Sequence, residues 1–209
     1  MTSIGDRFKD GGITTHLYRW LRLEHGGLRE LAALFPKEGR IVDLGSGAGL
    51  FAHVLLEDSP AREVLCVDHD AFRIRSLQAS AENLPIEAVE ANMAAYELPA
   101  CQGIALIDVM HYLEADAQEA LLDRCVQALE PGGVIVLRDP DPDGRLKFDL
   151  TRAHEGFATR FGLTHAQVGQ YRRGAEWSFQ MRLRGLATEV LPLKRMSPYA
   201  DRTVVGTKH

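Results

Sequence analysis

Residues 41–51, reading IVDLGSGAGLF, restrict the fold of this 209-residue chain more than any other segment. Ile41, Val42 and Leu44 make an apolar strand around Asp43. The chain then breaks into glycines at alternate positions, Gly45, Gly47 and Gly49. Glycine has no Cβ, so it enters positive φ and lets a ligand approach the main chain. A strand that passes through such a loop into a helix makes a ligand-binding turn, because a helix N-terminus offers unpaired N–H groups and a positive dipole end. The spacing is G-x-G-x-G followed by Leu50, not the G-x-G-x-x-G of a dinucleotide site, which argues against a nicotinamide dehydrogenase. The phosphate-loop pattern G-x-x-x-x-G-K-S/T is absent. A glycine-rich turn that holds no ligand is the plainer alternative.

Strands and helices alternate on either side of this turn. Apolar residues at helical spacing over 17–35, interrupted by Gly26-Gly27, predict two helices. The first strand covers 40–44 and a helix follows over 48–57, ended by Ser59-Pro60. The run 63–67 (EVLCV) reads as a strand buried on both faces. It delivers Asp68, 25 positions after Asp43, a spacing that suits a βαβ unit whose second strand offers an acid to a ribose. A helix over 71–83, strands over 86–90 and 103–109, and a helix ending at Leu129 come next. Asp116 and Glu119 resemble a capping pair for that last helix. Pro131-Gly132-Gly133 turns the chain into a strand at 134–137. The alternation predicts a parallel, doubly wound α/β sheet with right-handed crossovers. Beyond it lie a charged loop at 138–149, helices at 151–161 and 175–185, and two closing strands at 189–193 and 202–206.

Length and composition fit one domain, by the usual allowance of roughly 100–200 residues per domain. We expect residues 1–27 to form an N-terminal helical lid and 138–187 a substrate-side insertion. No apolar run reaches the ~18 residues of a membrane span, and the N-terminus lacks the apolar core of a secretory signal. Cys66, Cys101 and Cys125 sit in apolar stretches without metal-ligand spacing, so they read as core residues of a reducing, cytoplasmic protein and no metal is expected. The net charge of −5 gives no global field for nucleic acid. It is uneven: residues 138–184 carry nine Arg/Lys against six acids, which leaves −8 for the remainder.

Five places in order resemble the class I S-adenosylmethionine-dependent methyltransferases: the Asp43–glycine segment, Asp68 closing VLCVD, Asn92-Met93, Asp108-Val109-Met110-His111, and the LEPGG turn at 129–133. The resemblance implies a Rossmann-like seven-stranded sheet of order 3-2-1-4-5-7-6, its last strand antiparallel, with helices on both faces. It also implies S-adenosyl-L-methionine as cofactor and S-adenosyl-L-homocysteine as product. The residues it assigns to the cofactor are Asp43, Gly45, Gly47, Gly49, Asp68, His69, Asn92, Met93 and Asp108. Asn92 stands where family members often have Asp, keeping an acceptor oxygen but no charge.

Methyl transfer from a sulfonium needs nucleophile, carbon and sulfur nearly in line, so positioning and water exclusion supply most of the rate. A phenol or acid acceptor also needs to lose a proton. His111, three residues past Asp108, is the catalytic candidate and His154 a second; a helix cap and a surface histidine are the respective alternatives. Tyr112, Tyr171, Trp177 and Tyr199 are candidate walls of an acceptor site or core residues. The acids Asp139, Asp141 and Asp143 suggest either a magnesium site or, as expected here, a solvated proline-rich turn.

The segments 97–125, 151–162 and 175–183 are similar to small methyltransferases of aryl-polyene and related polyketide-type clusters. This implies an aromatic or polyketide-like small-molecule acceptor, methylated at oxygen or carbon and tethered to an acyl carrier protein that the 138–184 cations would dock. A non-catalytic cofactor- or partner-binding module of the same fold is the other functional class. A nucleic-acid or protein methyltransferase is a third, disfavoured by the acidic charge and by Asp108-Val109-Met110-His111 in place of an Asn/Asp-Pro-Pro-Tyr/Phe tetrapeptide. Acceptor identity and oligomeric state stay open.

Overall fold

The computed structural model describes residues 27–144, 170–192 and 201–209. The first of these stretches opens with α1 (Leu28–Ala32), β1 (Gly39–Leu44), α2 (Leu50–Asp58), β2 (Arg62–Asp68), α3 (Ala71–Ser80) and β3 (Ile86–Glu90). It continues with β4 (Cys101–Ile107), a 3-10 turn (Met110–Tyr112), α4 (Ala115–Ala128) and β5 (Leu129–Pro140). The later stretches hold α5 (Gly174–Leu183), β6 (Leu186–Val190) and β7 (Asp201–Lys208). The seven strands form one sheet in the order β3-β2-β1-β4-β5-β7-β6. The first five pair in parallel, and β7 enters antiparallel between β5 and β6. The expected order and the expected antiparallel last strand are both present.

Period-two alternation sorts the strand residues onto two cores. Val42, Leu44, Leu65, Val67, Ile104, Leu106, Ile135 and Leu137 face one side, where Leu121, Leu122 and Cys125 of α4 and Trp177 and Met181 of α5 cover them. Ile41, Val64, Cys66, Ala105, Ile107 and Val136 face the other, beneath Leu28, Leu31, Phe35, Phe51, Leu55 and Leu77 of the first three helices and their links. Each fully buried aliphatic side chain contributes roughly 1.5–3 kcal/mol. All three cysteines are free and buried, and burial pushes their thiols up, Cys101 to about 11. They pack as small apolar residues, as expected.

Several expected boundaries moved for local reasons. The helix expected from 48 begins at Leu50 because Gly49, at φ 79°, is its left-handed N-cap. The helix expected to 83 stops at Ser80, before Asn83 at φ 63°. The strand expected at 134–137 runs from Leu129 to Pro140, because β7 pairs with it as far as Pro140 opposite Asp201. Part of the expected 138–149 loop is therefore strand. The strand expected at 189–193 lies at Leu186–Val190, since α5 ends early and Gly185 turns at φ 83°. The Asp116–Glu119 capping pair does not form. Glu114 takes the N-cap of α4 without a side-chain bond, and the Glu119 carboxylate pairs with Arg172 and Arg184. The residues before 27 and the helix expected at 151–161 lie outside the described residues.

Arg62 fastens one end of this framework. Its side chain is fully buried, and it donates from Nε to the Pro36 carbonyl at 2.7 Å and from Nη1 to Leu55 O at 2.7 Å. Its Nη2 reaches Ala32 O and Phe35 O, both at 3.1 Å, and pairs with Asp58 at 2.8 Å. One guanidinium thus bonds carbonyls at the ends of both α1 and α2 and ties the two helix ends together. Burial pushes the Asp58 carboxyl up, but Lys37 and Arg62 outweigh it and hold it below the usual carboxylate range. Asp58 therefore stabilises the fold above its unfolded pKa of about 3.9, and that contribution is lost as pH falls through the lower folded value. Arg62→Ala is expected to cost about 3 kcal/mol in urea unfolding, the scale of removing one partner of a buried pair. Asp58→Asn should flatten the acid limb of stability against pH.

Candidate functional site

The carboxyl ends of β1, β2, β4 and β5 lie along one edge of the sheet, where open α/β sheets bind ligands. The glycine loop opens this edge. Gly45, Gly47 and Gly49 have φ of 72°, 57° and 79°. Gly45 N–H and Ser46 N–H donate to Val67 O at 2.8 and 3.2 Å, so the loop curls over the end of β2. A Cβ on Gly45 would lie 2.3 Å from Val109, and one on Gly49 would lie 2.1 Å from Leu77. A Cβ on Gly47 would meet nothing within 4 Å. The outer glycines make packing possible; the middle one faces open space, the arrangement of a cradle for a ligand.

Asp68, buried at the end of β2, spans the loop and the next helix. Its Oδ2 accepts from Gly47 N–H at 2.8 Å and its Oδ1 from Asp70 N–H at 2.9 Å. A carboxylate has about four lone-pair sites, so two hydroxyl donors can still be received. Asp70 caps α3, accepting from Phe72 and Arg73 N–H; burial raises its carboxyl, but these bonds hold it below the usual range. His69 is 70% exposed, its Nδ1 lying 3.7 Å from Asp68. Asp43 is buried at the end of β1, beside Cys66. Asn92 is exposed and uses Oδ1 to accept Ala94 N–H at 2.9 Å, shaping the turn after β3. The Met93 sulfur lies beside Gly45, and Arg124 of α4 holds the Met93 and Ala94 carbonyls.

Asp108 ends β4 at φ 58°, in the left-handed region rarely occupied by a non-glycine residue. The Arg138 guanidinium grips its carboxylate through Nε at 3.0 Å and through Nη2. Three residues on, His111 is fully buried in the 3-10 turn. Its Nδ1 lies 2.7 Å from Asp139 Oδ1, and Asp139 is buried as well. A carboxylate only accepts, so Nδ1 carries the proton of this bond, which in the neutral ring leaves the lone pair on Nε2. The imidazole stacks on Tyr171, ring centroids 5.4 Å apart and planes at 10°, and touches Tyr112 at 4.0 Å.

The expectation of solvated acids at 139, 141 and 143 is corrected. Asp139 and Asp141 are each 2% exposed, because the extended β5 carries them inward. Asp139 faces His111, Asp141 accepts from Gly174 N–H at 3.0 Å and Arg202 Nε at 3.2 Å, and the exposed Asp143 pairs with Arg173 at 3.1 Å. Among the described residues no three His, Cys, Asp or Glu converge as a metal would require. Of the nine cations at 138–184, the five described ones have intramolecular partners: Arg138, Arg172, Arg173 and Arg184 take acids, and Arg182 takes the hydroxyls of Ser178 and Thr188. Arg145, Lys147, Arg152, Arg160, His154 and Tyr199 lie outside the described residues. Trp177 belongs to the core, 1% exposed, with Arg172 5.1 Å over its ring.

The edge thus gathers the glycine loop, Asp43, Asp68, Met93, Asp108 and His111. Sequence reasoning missed Asp139 and Arg138. An acid and a cation directly after an apolar strand were a usable signal, since residues there fall on the ligand edge. Two substitutions separate a ligand cradle from a merely structural turn. Gly47→Ala has room but an unfavourable φ, worth about 1–2 kcal/mol. It should keep most of the melting temperature yet lose S-adenosyl-L-homocysteine affinity by calorimetry. Gly49→Ala should lose both, because its Cβ would collide with Leu77.

Residues 41–133 match the model of a family described as a methyltransferase domain. A carboxy-S-adenosyl-L-methionine synthase of Hamiltonella defensa subsp. Acyrthosiphon pisum (strain 5AT) is 27% identical over 145 residues, 63% of this chain and 55% of that protein. The chain spans about half the length of this relative. A solved methyltransferase of Haloferax volcanii, described in complex with the Trm112 methyltransferase activator, superposes with TM-score 0.73 at 15% identity, covering 99% of this chain and 98% of that one. Mitomycin 7-O-methyltransferase superposes with TM-score 0.70 at 16% identity, covering 100% of this chain and 61% of that one.

Proposed function

Because residues 41–133 form a class I S-adenosylmethionine-dependent methyltransferase domain, an enzyme fold whose cofactor is S-adenosyl-L-methionine, we propose that the chain methylates a small hydroxylated aromatic or conjugated acceptor. The observation that carries this reading is the nearness of two features on one sheet edge. The glycine loop packs through Gly45 against Val109, two residues before a buried His111–Asp139 pair. A cradle and a poised base are thus neighbours.

The open space at Gly47 and the spare lone pairs of Asp68 fit a nucleoside with its sugar hydroxyls on Asp68. Asp43, Met93 and Asn92 stand around the rest of the loop, and Asp108, gripped by Arg138, shapes the edge beside it. When bound, the cofactor supplies a methyl group activated by its sulfonium. The chain's own part is positioning and proton transfer. Asp139 orients the His111 ring and stabilises the imidazolium, while Nε2 receives the acceptor's hydroxyl proton. Proton transfer by a placed side chain contributes typically about 10²–10⁴-fold. Tyr112 and Tyr171 offer flat surfaces to a flat acceptor.

Support for an oxygen acceptor comes from this pair and from the mitomycin 7-O-methyltransferase neighbour. A carrier-protein tether would fall to the four cations outside the described residues, since the five described ones hold partners within the chain. The likeness to carboxy-S-adenosyl-L-methionine synthases favours a second reading, in which the nucleoside is modified rather than spent. A non-catalytic cofactor-binding module would bind and release nothing new.

Incubation with S-adenosyl-L-methionine, with a panel of phenols in one arm and with organic acids able to give up a carboxyl group in another, followed by mass spectrometry of the nucleoside, separates the three. Homocysteine-form product with a methylated phenol supports the proposal, a carboxylated nucleoside the second reading, and unchanged nucleoside the binding module. His111→Ala should lower kcat about 10²-fold or more while S-adenosyl-L-homocysteine affinity holds. Equal loss of both would remove it as the base. Asp68→Ala should abolish that affinity with the fold retained.

A further inference from the structure

We infer that Gln118, on the first turns of α4, is a positioning residue for His111. One side-chain amide ties the turn that carries His111 to the segment that carries Tyr171, and so fixes the imidazole–phenol stack. This rests on the role given to His111 in the proposed function.

Gln118 is 0% exposed, which is unusual for a glutamine. Its Nε2 lies 3.0 Å from Met110 O, 3.1 Å from Leu113 O and 2.8 Å from Gln170 O, so its two protons serve three carbonyls, one of them shared. Met110 and Leu113 bracket His111, and Gln170 precedes Tyr171. Three surrounding carbonyls also settle which end of the amide faces them, because only the nitrogen can donate. The amide therefore holds the two aromatic rings in one register, a contact 52 residues apart in the chain.

The Tyr171 segment is held at successive residues from different directions. Gln118 takes the Gln170 carbonyl, Glu119 the Arg172 guanidinium, Asp143 the Arg173 guanidinium and Asp141 the Gly174 N–H. Between these anchors the Tyr171 ring lies parallel to His111. His111 is fully buried whereas Tyr171 is half-buried, so Tyr171 is the ring that borders solvent on that side. A second observation marks Gln118 as more than a packing residue. Among the described residues its Oε1 accepts no hydrogen bond although it is buried. A buried acceptor left unpaired is uncommon and calls for an explanation. Replacing Gln118 by an apolar residue relieves this orphan but releases three carbonyls, two of them flanking His111.

The test uses the full chain saturated with S-adenosyl-L-homocysteine. The His111 ring proton resonances are assigned by loss in His111→Gln, and Tyr171→Ala defines their position without the stack. In Gln118→Leu, the His111 resonances should move most of the way to the Tyr171→Ala position, with S-adenosyl-L-homocysteine affinity unchanged. Turnover of any phenol the chain methylates should fall by about 10- to 100-fold, the scale of an ångström-sized misplacement. Unmoved His111 resonances in folded Gln118→Leu would overturn the inference, as would loss of cofactor affinity in step with the resonance change. If that variant does not fold, the unbranched Gln118→Met gives the same readout. Should the resonances move while no acceptor is ever methylated, the positioning role stands and the base role of His111 falls.

Discussion

The Asp68 carboxylate joins the two pieces of backbone on which the ligand edge depends. One oxygen receives the N–H of Gly47, in the middle of the loop after β1, and the other receives that of Asp70, the cap of α3. Charge-assisted bonds of this kind are roughly twice as strong as neutral ones. A loop with three residues at positive φ has little intrinsic preference for one shape. The tie to β2 supplies that preference, together with the Val67 carbonyl that receives Gly45 and Ser46. The acid read from the sequence as a ligand for sugar hydroxyls is also the piece that holds the loop in place.

The opposite half of the edge is organised by the alternation Asp-Pro-Asp-Pro-Asp. The two prolines fix φ without needing a hydrogen-bond acceptor for their nitrogens. Asp139 meets the imidazole, Asp141 meets the start of α5 and Arg202 of β7, and Asp143 meets Arg173. Pairing with β7 through Pro140 is what carries Asp139 inward, and Asp141 follows it, while Asp143 stays exposed. Arg62 plays the corresponding part at the other end of the sheet, binding the C-terminal ends of two helices.

The sheet order and its two cores were legible because strand composition and helix periodicity repeat through residues 40–137, and because the motif order pins the topology. The third strand was read at its observed limits, 86–90. Boundaries set by long-range pairing were not legible: nothing local in Leu129 to Pro140 announces that β7 will pair along it. The same holds for Glu119, which looked like a local cap and instead serves Arg172 and Arg184, 53 and 65 residues away. The glycine loop, Asp68 and His111 were visible as motifs. The partner of His111 was hidden, since an aspartate between a cation and a proline reads as turn chemistry until the strand is seen to include it.

The clasps at Asp141–Gly174 and Asp143–Arg173 fasten the chain just after β5 to the start of α5. Asp139 stands two residues before the first of these clasps and Tyr171 two residues before the second, so the carboxylate and the phenol on either side of His111 share one anchorage. Loosening that anchorage would disturb both neighbours of the imidazole at once.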